Sequence, residues 1–112
     1  MLEKRFRLRK NYQFNYVYKN GKSVSDKNMV IVYCRNKNGK PKVGFSISKK
    51  FGKAVKRNKM RRRLREIVYK RYGALDSRFN YVFLPRGVCA DMTFAEIVSS
   101  VERLMSRIGC EN

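Results

Sequence analysis

The stretch KKFGKAVKRNKMRRRLR, from Lys49 to Arg65, carries a density of fixed positive charge that no protein interior accepts. Whatever fold the chain adopts must therefore hold this stretch at its surface. From Lys53 to Arg71 there are ten basic residues and one acid, Glu66. Helix geometry decides whether this is a solvated tract or a shaped surface. At about 100° per residue, Met60, Leu64, Ile67 and Val68 fall within an arc of roughly 100°, a stripe that can face a core. Arg57, Asn58, Arg61, Arg62 and Arg65 fill an adjoining arc of roughly 140°, with Lys53 at its edge. Lys56, Lys59, Arg63 and Lys70 lie on the opposite flank. The pattern predicts an amphipathic helix packed on something. Guanidinium forks grip oxyanions bidentately and stay charged. Asn58 adds a paired donor and acceptor that can read a base edge or a 2′-hydroxyl. Arginines at i,i+4 destabilise a helix unless an anion neutralises them, so a nucleic acid is the natural partner of this face.

The rest of the composition narrows the class. A chain of 112 residues has room for one domain with a modest core. Its formal charge of +20 calls for a polyanion. No apolar run is long enough to span a bilayer, and Arg and Lys interrupt the N-terminus too early for a signal peptide. Cys34, Cys89 and Cys110 are odd in number and widely spaced, with no histidine to complete a zinc site, so they read as reduced thiols of a cytoplasmic protein. The eight acids are scattered, and no two are placed as a metal-binding pair. Histidine, the commonest general acid and base near neutral pH, is absent. The chain is expected to bind RNA without cutting it and to bind no cofactor firmly.

Residues 1–10 alternate basic and apolar side chains, as an extended basic arm would. YQFNYVYKNG reads as a short helix ending at Gly21, with Phe14, Val17 and Tyr18 on one face and Tyr12 and Tyr16 on the other. Aromatic faces beside cations are what unpaired bases stack on. Residues 29–34 and 42–48 are strand-like, with Asn38-Gly39 between them as a hairpin signal, and a short strand is expected around Lys22 to Val24. In 42–48, Val43, Phe45 and Ile47 point one way and Gly44, Ser46 and Ser48 the other. Gly73 offers a stop to the arginine helix, and residues 79–84 read as a strand halted by Pro85. Thr93 with Glu96 forms a capping box, with Met92 and Ile97 as a hydrophobic staple, opening a last helix with a broad apolar face. The order α-β-β-β-α-β-α makes a single-domain α+β sandwich over residues 1–112.

At VGFSISKKFGKAVKRNKMRRRLRE, residues 43–66, the chain resembles the protein subunit of bacterial ribonuclease P. Ser46, Ser48, Lys49, Lys50, Gly52, Arg57, Asn58, Arg61, Arg62 and Arg65 stand at the places of the family motif, and Phe14 and Tyr18 match its N-terminal aromatic pair. The resemblance implies a four-stranded sheet with a left-handed βαβ crossover around the arginine helix. It implies no catalytic residue in the protein: a large RNA subunit with its Mg²⁺ hydrolyses the phosphodiester at the 5′ end of the mature tRNA. Lys53, Arg57, Asn58, Arg61, Arg62 and Arg65 would hold that RNA. A cleft between the first helix and the sheet would take the single-stranded 5′ leader of precursor tRNA, lined by Phe14 and Tyr18 with Ser46, Ser48, Lys49 and Lys50 nearby. The third cleft aromatic is assigned to Tyr33. Val32, one place earlier, stands where the family usually has that ring, and a slip of one residue would turn the side chain to the other face. Sulfate or phosphate should stabilise such a protein, and a membrane is not an expected partner. The rival reading from composition is a basic structural ribosomal protein; a protein-only ribonuclease is a more distant third.

Overall fold

A computed structural model describes residues 6–108 of the chain. The first half of the expected basic arm and Cys110 lie outside the described residues. The elements are α1 (Asn11–Asn20), β1 (Lys22–Ser25), β2 (Met29–Arg35), β3 (Val43–Phe45), α2 (Ala54–Lys70), β4 (Phe79–Pro85) and α3 (Phe94–Arg107). They occur in the expected α-β-β-β-α-β-α order.

The four strands form one sheet in the order β1-β2-β4-β3. β1 and β2 are antiparallel, as are β2 and β4, whereas β3 runs parallel to β4 and is joined to it through α2. The hairpin expected between 29–34 and 42–48 therefore does not form, because β4 lies between the two strands. The Asn38-Gly39 turn is present, with Gly39 at φ 71°. Its loop instead crosses the end of β4. The Asn36 amide donates to the Ser77 and Phe79 carbonyls, and the Lys42 amide N–H donates to Asn80 Oδ1 at 2.8 Å. A turn signal is local, but which strand becomes the neighbour is a long-range choice. β4 pairs along both edges, with β2 and β3, and five of its seven residues are buried, as suits a central strand.

The larger core lies on one side of the sheet, under α2 and α3. Met29, Ile31 and Tyr33 of β2, Phe79, Tyr81 and Phe83 of β4 and Val43 of β3 meet Met60, Leu64, Ile67 and Val68 of α2 and Ile97, Val101 and Leu104 of α3. The four α2 residues are the stripe read from the sequence. Burying each such side chain contributes about 1.5–3 kcal/mol, against a few tenths of a kcal/mol of repulsion for each i,i+4 arginine pair. Packing therefore decides that α2 is helical. α3 begins as expected: Thr93 Oγ1 accepts from the Glu96 backbone N–H, and Glu96 Oε1 accepts from the Thr93 backbone N–H.

Opposite this core, α1 lies across the other face of the sheet on a smaller cluster of Leu8, Val17, Cys34 and Val82, flanked by Phe14, Val32 and Leu84. Gln13 fixes the start of α1 by accepting from the amides of Arg9 and Lys10. Gly21 ends it, and for a packing reason rather than a conformational one. Its φ is −94°, and a Cβ there would lie 2.5 Å from the Val17 carbonyl oxygen and 2.6 Å from that of Tyr33.

A polar cluster ties the β1–β2 turn to α3. Asp26 accepts from the backbone N–H groups of Asn28 and Met29 and from Arg103, and the buried Asn28 side chain donates through Nδ2 to the buried Ser100 hydroxyl at 2.6 Å. Burial alone would raise the Asp26 carboxyl, but the Met29 and Asn28 amides and Arg103 overcome it and hold it below its ordinary value. Ser100→Ala leaves the Asn28 amide buried without its acceptor. It is expected to cost about 1–3 kcal/mol, read as a lower urea midpoint at unchanged m-value.

Candidate nucleic-acid interface

α2 leaves the sheet through a sharp corner. Ser48 caps a 3-10 turn at Lys49–Phe51 by accepting from the Lys50 amide, and Gly52 then takes φ 152°, a region open essentially to glycine. This corner aims the first turn of α2, with Lys53 as its exposed N-cap residue.

Along the exposed side of α2, Arg57, Arg61 and Arg65 are half-buried, and Asn58 and Arg62 are exposed. Among the described residues none of these arginines pairs with a carboxylate; the ion pairs involve Lys70, Arg71, Arg78 and Arg103. Arg63 and Arg71 are tied to the protein's own carbonyls, at Met92 and Ile67. Asn58 Oδ1 accepts from Arg61 Nη1 at 3.1 Å, so Asn58 also orients Arg61.

Arg7 joins this face. The segment before α1 runs along the outer edge of β3, with Arg7 bridged to Val43 and the Leu8 amide donating to the Val43 carbonyl at 2.9 Å. Desolvation lowers the pKa of Arg65, and the charges of Arg7 and Arg61 lower it further. The Nε atoms of Arg7, Arg57 and Arg65 are all buried without a hydrogen-bond partner. A buried N–H with no acceptor is costly. A phosphate bound against these guanidinium groups would remove the repulsion among them.

Free protein should therefore gain melting temperature with added sulfate or phosphate, by mass action. Sulfate stabilises proteins generally by exclusion from their surface. The specific part is the excess over a variant carrying Arg57→Gln, Arg61→Gln and Arg65→Gln, and equal shifts in both proteins would contradict an anion site.

On the opposite face of the sheet, α1 leaves uncovered a strip formed by Val30 and Val32 of β2 and Leu84 of β4, all half-buried. Phe14 and Tyr18 border it, their ring centroids 6.5 Å apart, Phe14 half-buried and Tyr18 40 % exposed. Gly44 makes room for this: a Cβ there would lie 2.6 Å from the Phe14 ring. Ser46 continues the β3 ladder by donating its amide to the Phe83 carbonyl, and Ser48, Lys49 and Lys50 are exposed just beyond.

The ribonuclease P family model matches residues 2–109. The chain belongs to the ribonuclease P protein family. It is 37 % identical over 100 residues to the ribonuclease P protein component of Finegoldia magna, covering 89 % of this chain and 88 % of that one. It is 34 % identical over 110 residues to that of Bacillus cereus, covering 96 % and 95 %. Among solved structures, the Staphylococcus aureus ribonuclease P protein superposes with a TM-score of 0.86 at 32 % identity, covering 96 % of this chain and 98 % of that one. The Thermotoga maritima protein gives 0.84 at 30 % identity, covering 91 % and 96 %.

Within this ribonuclease P protein, one expected site residue is misplaced. Tyr33 is 3 % exposed on the α2/α3 side of β2, packed edge-on against Phe79 at 5.1 Å, so it does not line the cleft. Val32 faces α1 instead. The run MVIVYC is apolar throughout because one face of β2 packs into the larger core while the other carries the half-buried Val30 and Val32 and the buried Cys34 under α1, so its alternation does not reveal which side is which. Sequence reasoning also missed Val30, Leu84 and the place of Arg7. Basic character was visible at Arg7, but its place near Arg65 depends on pairing along the β3 edge. Among the described residues, no three His, Cys, Asp or Glu side chains gather to hold a metal, and no helix is long and apolar enough to cross a membrane.

Proposed function

We infer that this chain is the RNA-binding protein subunit of ribonuclease P and assists a catalytic RNA in removing the 5′ leader from precursor tRNA. In this reading Lys53, Arg57, Asn58, Arg61, Arg62 and Arg65, with Arg7, grip phosphates of the RNA subunit. The strip bordered by Phe14 and Tyr18, with Val32, Leu84, Ser46, Ser48, Lys49 and Lys50, receives the unpaired leader. The observation that carries the reading is a helix face on which Arg57, Arg61 and Arg65 stand half-buried with no carboxylate partner among the described residues, beside a separate aromatic-edged strip. The first suits a folded polyanion and the second an unpaired strand.

Two effects follow. Neutralising several phosphates releases counterions, so affinity for the RNA subunit falls steeply with salt. Leader contacts are absent from mature tRNA, so the subunit favours substrate over product by differential binding. The bond cleavage and the Mg²⁺ it requires belong to the RNA. Cleavage of precursor tRNA at low Mg²⁺ by the RNA subunit, with and without this protein, tests the assignment. Stimulation is expected; its absence would count against the function.

A further inference from the structure

We propose that a second groove, on the flank of α1 away from the Phe14/Tyr18 strip, binds an unpaired segment of the ribonuclease P RNA subunit; this rests on the function proposed above. α1, sealed to the sheet by Val17, divides the sheet face in two. On its far side an open groove of about 690 Å³ runs between α1 and the loop joining β2 to β3.

The groove's chemistry points to single-stranded RNA. Tyr12 and Tyr16 line it and are 67 % and 54 % exposed, more than any core role needs. At i,i+4 they stand about 6 Å apart along one helix face, with Lys19 on the same stripe. Lys37 and Lys42 face them from the loop side, and none of the lining residues is acidic. Among the described residues these three lysines make no ion pair. The loop wall is fixed rather than floppy: Asn38 and Asn80 accept backbone N–H bonds through Oδ1, leaving their amide N–H groups free for a ligand. Exposed rings flanked by lysines and free amide donors are what stacked, acceptor-rich bases and their phosphates require.

Position selects the source of that strand. Leu8 lines the groove, and the preceding Arg7, on the same extended segment along the β3 edge, lies close enough to Arg65 for its charge to act on it. The groove thus shares with the arginine face the edge segment Arg7–Leu8, which borders both. A leader in the Phe14/Tyr18 strip is separated from it by α1 itself.

The test uses full-length protein reconstituted with the RNA subunit. Tyr12→Ala and Tyr16→Ala together should weaken binding to the RNA subunit by roughly fivefold or more per ring. Lys37→Gln with Lys42→Gln should flatten the salt dependence by one to two units, at about 0.7–0.9 per phosphate contact. The preference for leader-bearing over leaderless tRNA should stay unchanged in both. A photocrosslinker replacing Tyr16 should attach to the RNA subunit. Crosslinks to the precursor tRNA leader, crosslinks to neither RNA, or unchanged affinity in both variants would each overturn the proposal. Stimulation by unaltered protein at low Mg²⁺ is scored separately, so loss of the groove and loss of the function are told apart.

Discussion

Replacing Arg57, Arg61 and Arg65 together with glutamine is expected to weaken binding to the RNA subunit by about three orders of magnitude or more. A hydrogen bond to a charged group is worth roughly 1.5–3 kcal/mol, and 1.4 kcal/mol is tenfold. The salt slope should flatten by about two to three units, at roughly 0.9 per lost phosphate contact in a duplex. The same substitutions separate a ligand role from a structural one by the sign of their effect on stability. The arginines repel one another and no carboxylate among the described residues neutralises them. Glutamine keeps most of each stem over the helix while removing the charge. The melting temperature of the free protein should therefore hold or rise as binding collapses. A variant that binds normally, or that loses stability in step with binding, would contradict an anion-gripping face.

Phe14→Ala is expected to weaken binding of leader-bearing precursor tRNA to the holoenzyme by roughly fivefold to more than a hundredfold, the range that stacking of one base on an aromatic ring covers. Leaderless tRNA should bind as before. Because Phe14 also packs over Gly44, its removal costs stability as well. Two companions isolate the binding effect. Tyr18→Ala removes a ring that is 40 % exposed and should act on leader affinity with little change in melting temperature. Gly44→Ala keeps both rings but lifts Phe14 off the sheet, since the added Cβ would stand 2.6 Å from it, and should act in the same direction. Comparable losses for leaderless and leader-bearing substrates, measured by equilibrium binding, would remove the leader from this strip.

Tyr18, Tyr12 and Tyr16 lie on one short helix, yet they border two different grooves. The helix wheel read from the sequence already put Phe14 and Tyr18 on one side and Tyr12 and Tyr16 on the other. What each side faces depends on where α1 rests. With Val17 down on Cys34 and Val82, one aromatic pair overlooks Val32 and Leu84 and the other overlooks the loop at Asn36–Asn38.

The same division runs through the molecule. The chain's own pattern determined what depends on residues a few positions apart: the core stripe of α2 at Met60, Leu64, Ile67 and Val68, the arginine face beside it, the capping box at Thr93 and Glu96, and the place of each element along the chain. Helical and capping geometry repeat within one or two turns, so sequence spacing carries them whole. Tertiary structure alone decided that β4 separates β2 from β3, that Val32 rather than Tyr33 looks toward α1, and that Arg7 comes near enough to Arg65 to act on its charge. Each of these is set by pairing between segments distant in sequence. In a strand apolar on both faces, the alternation that would name the partner side is absent.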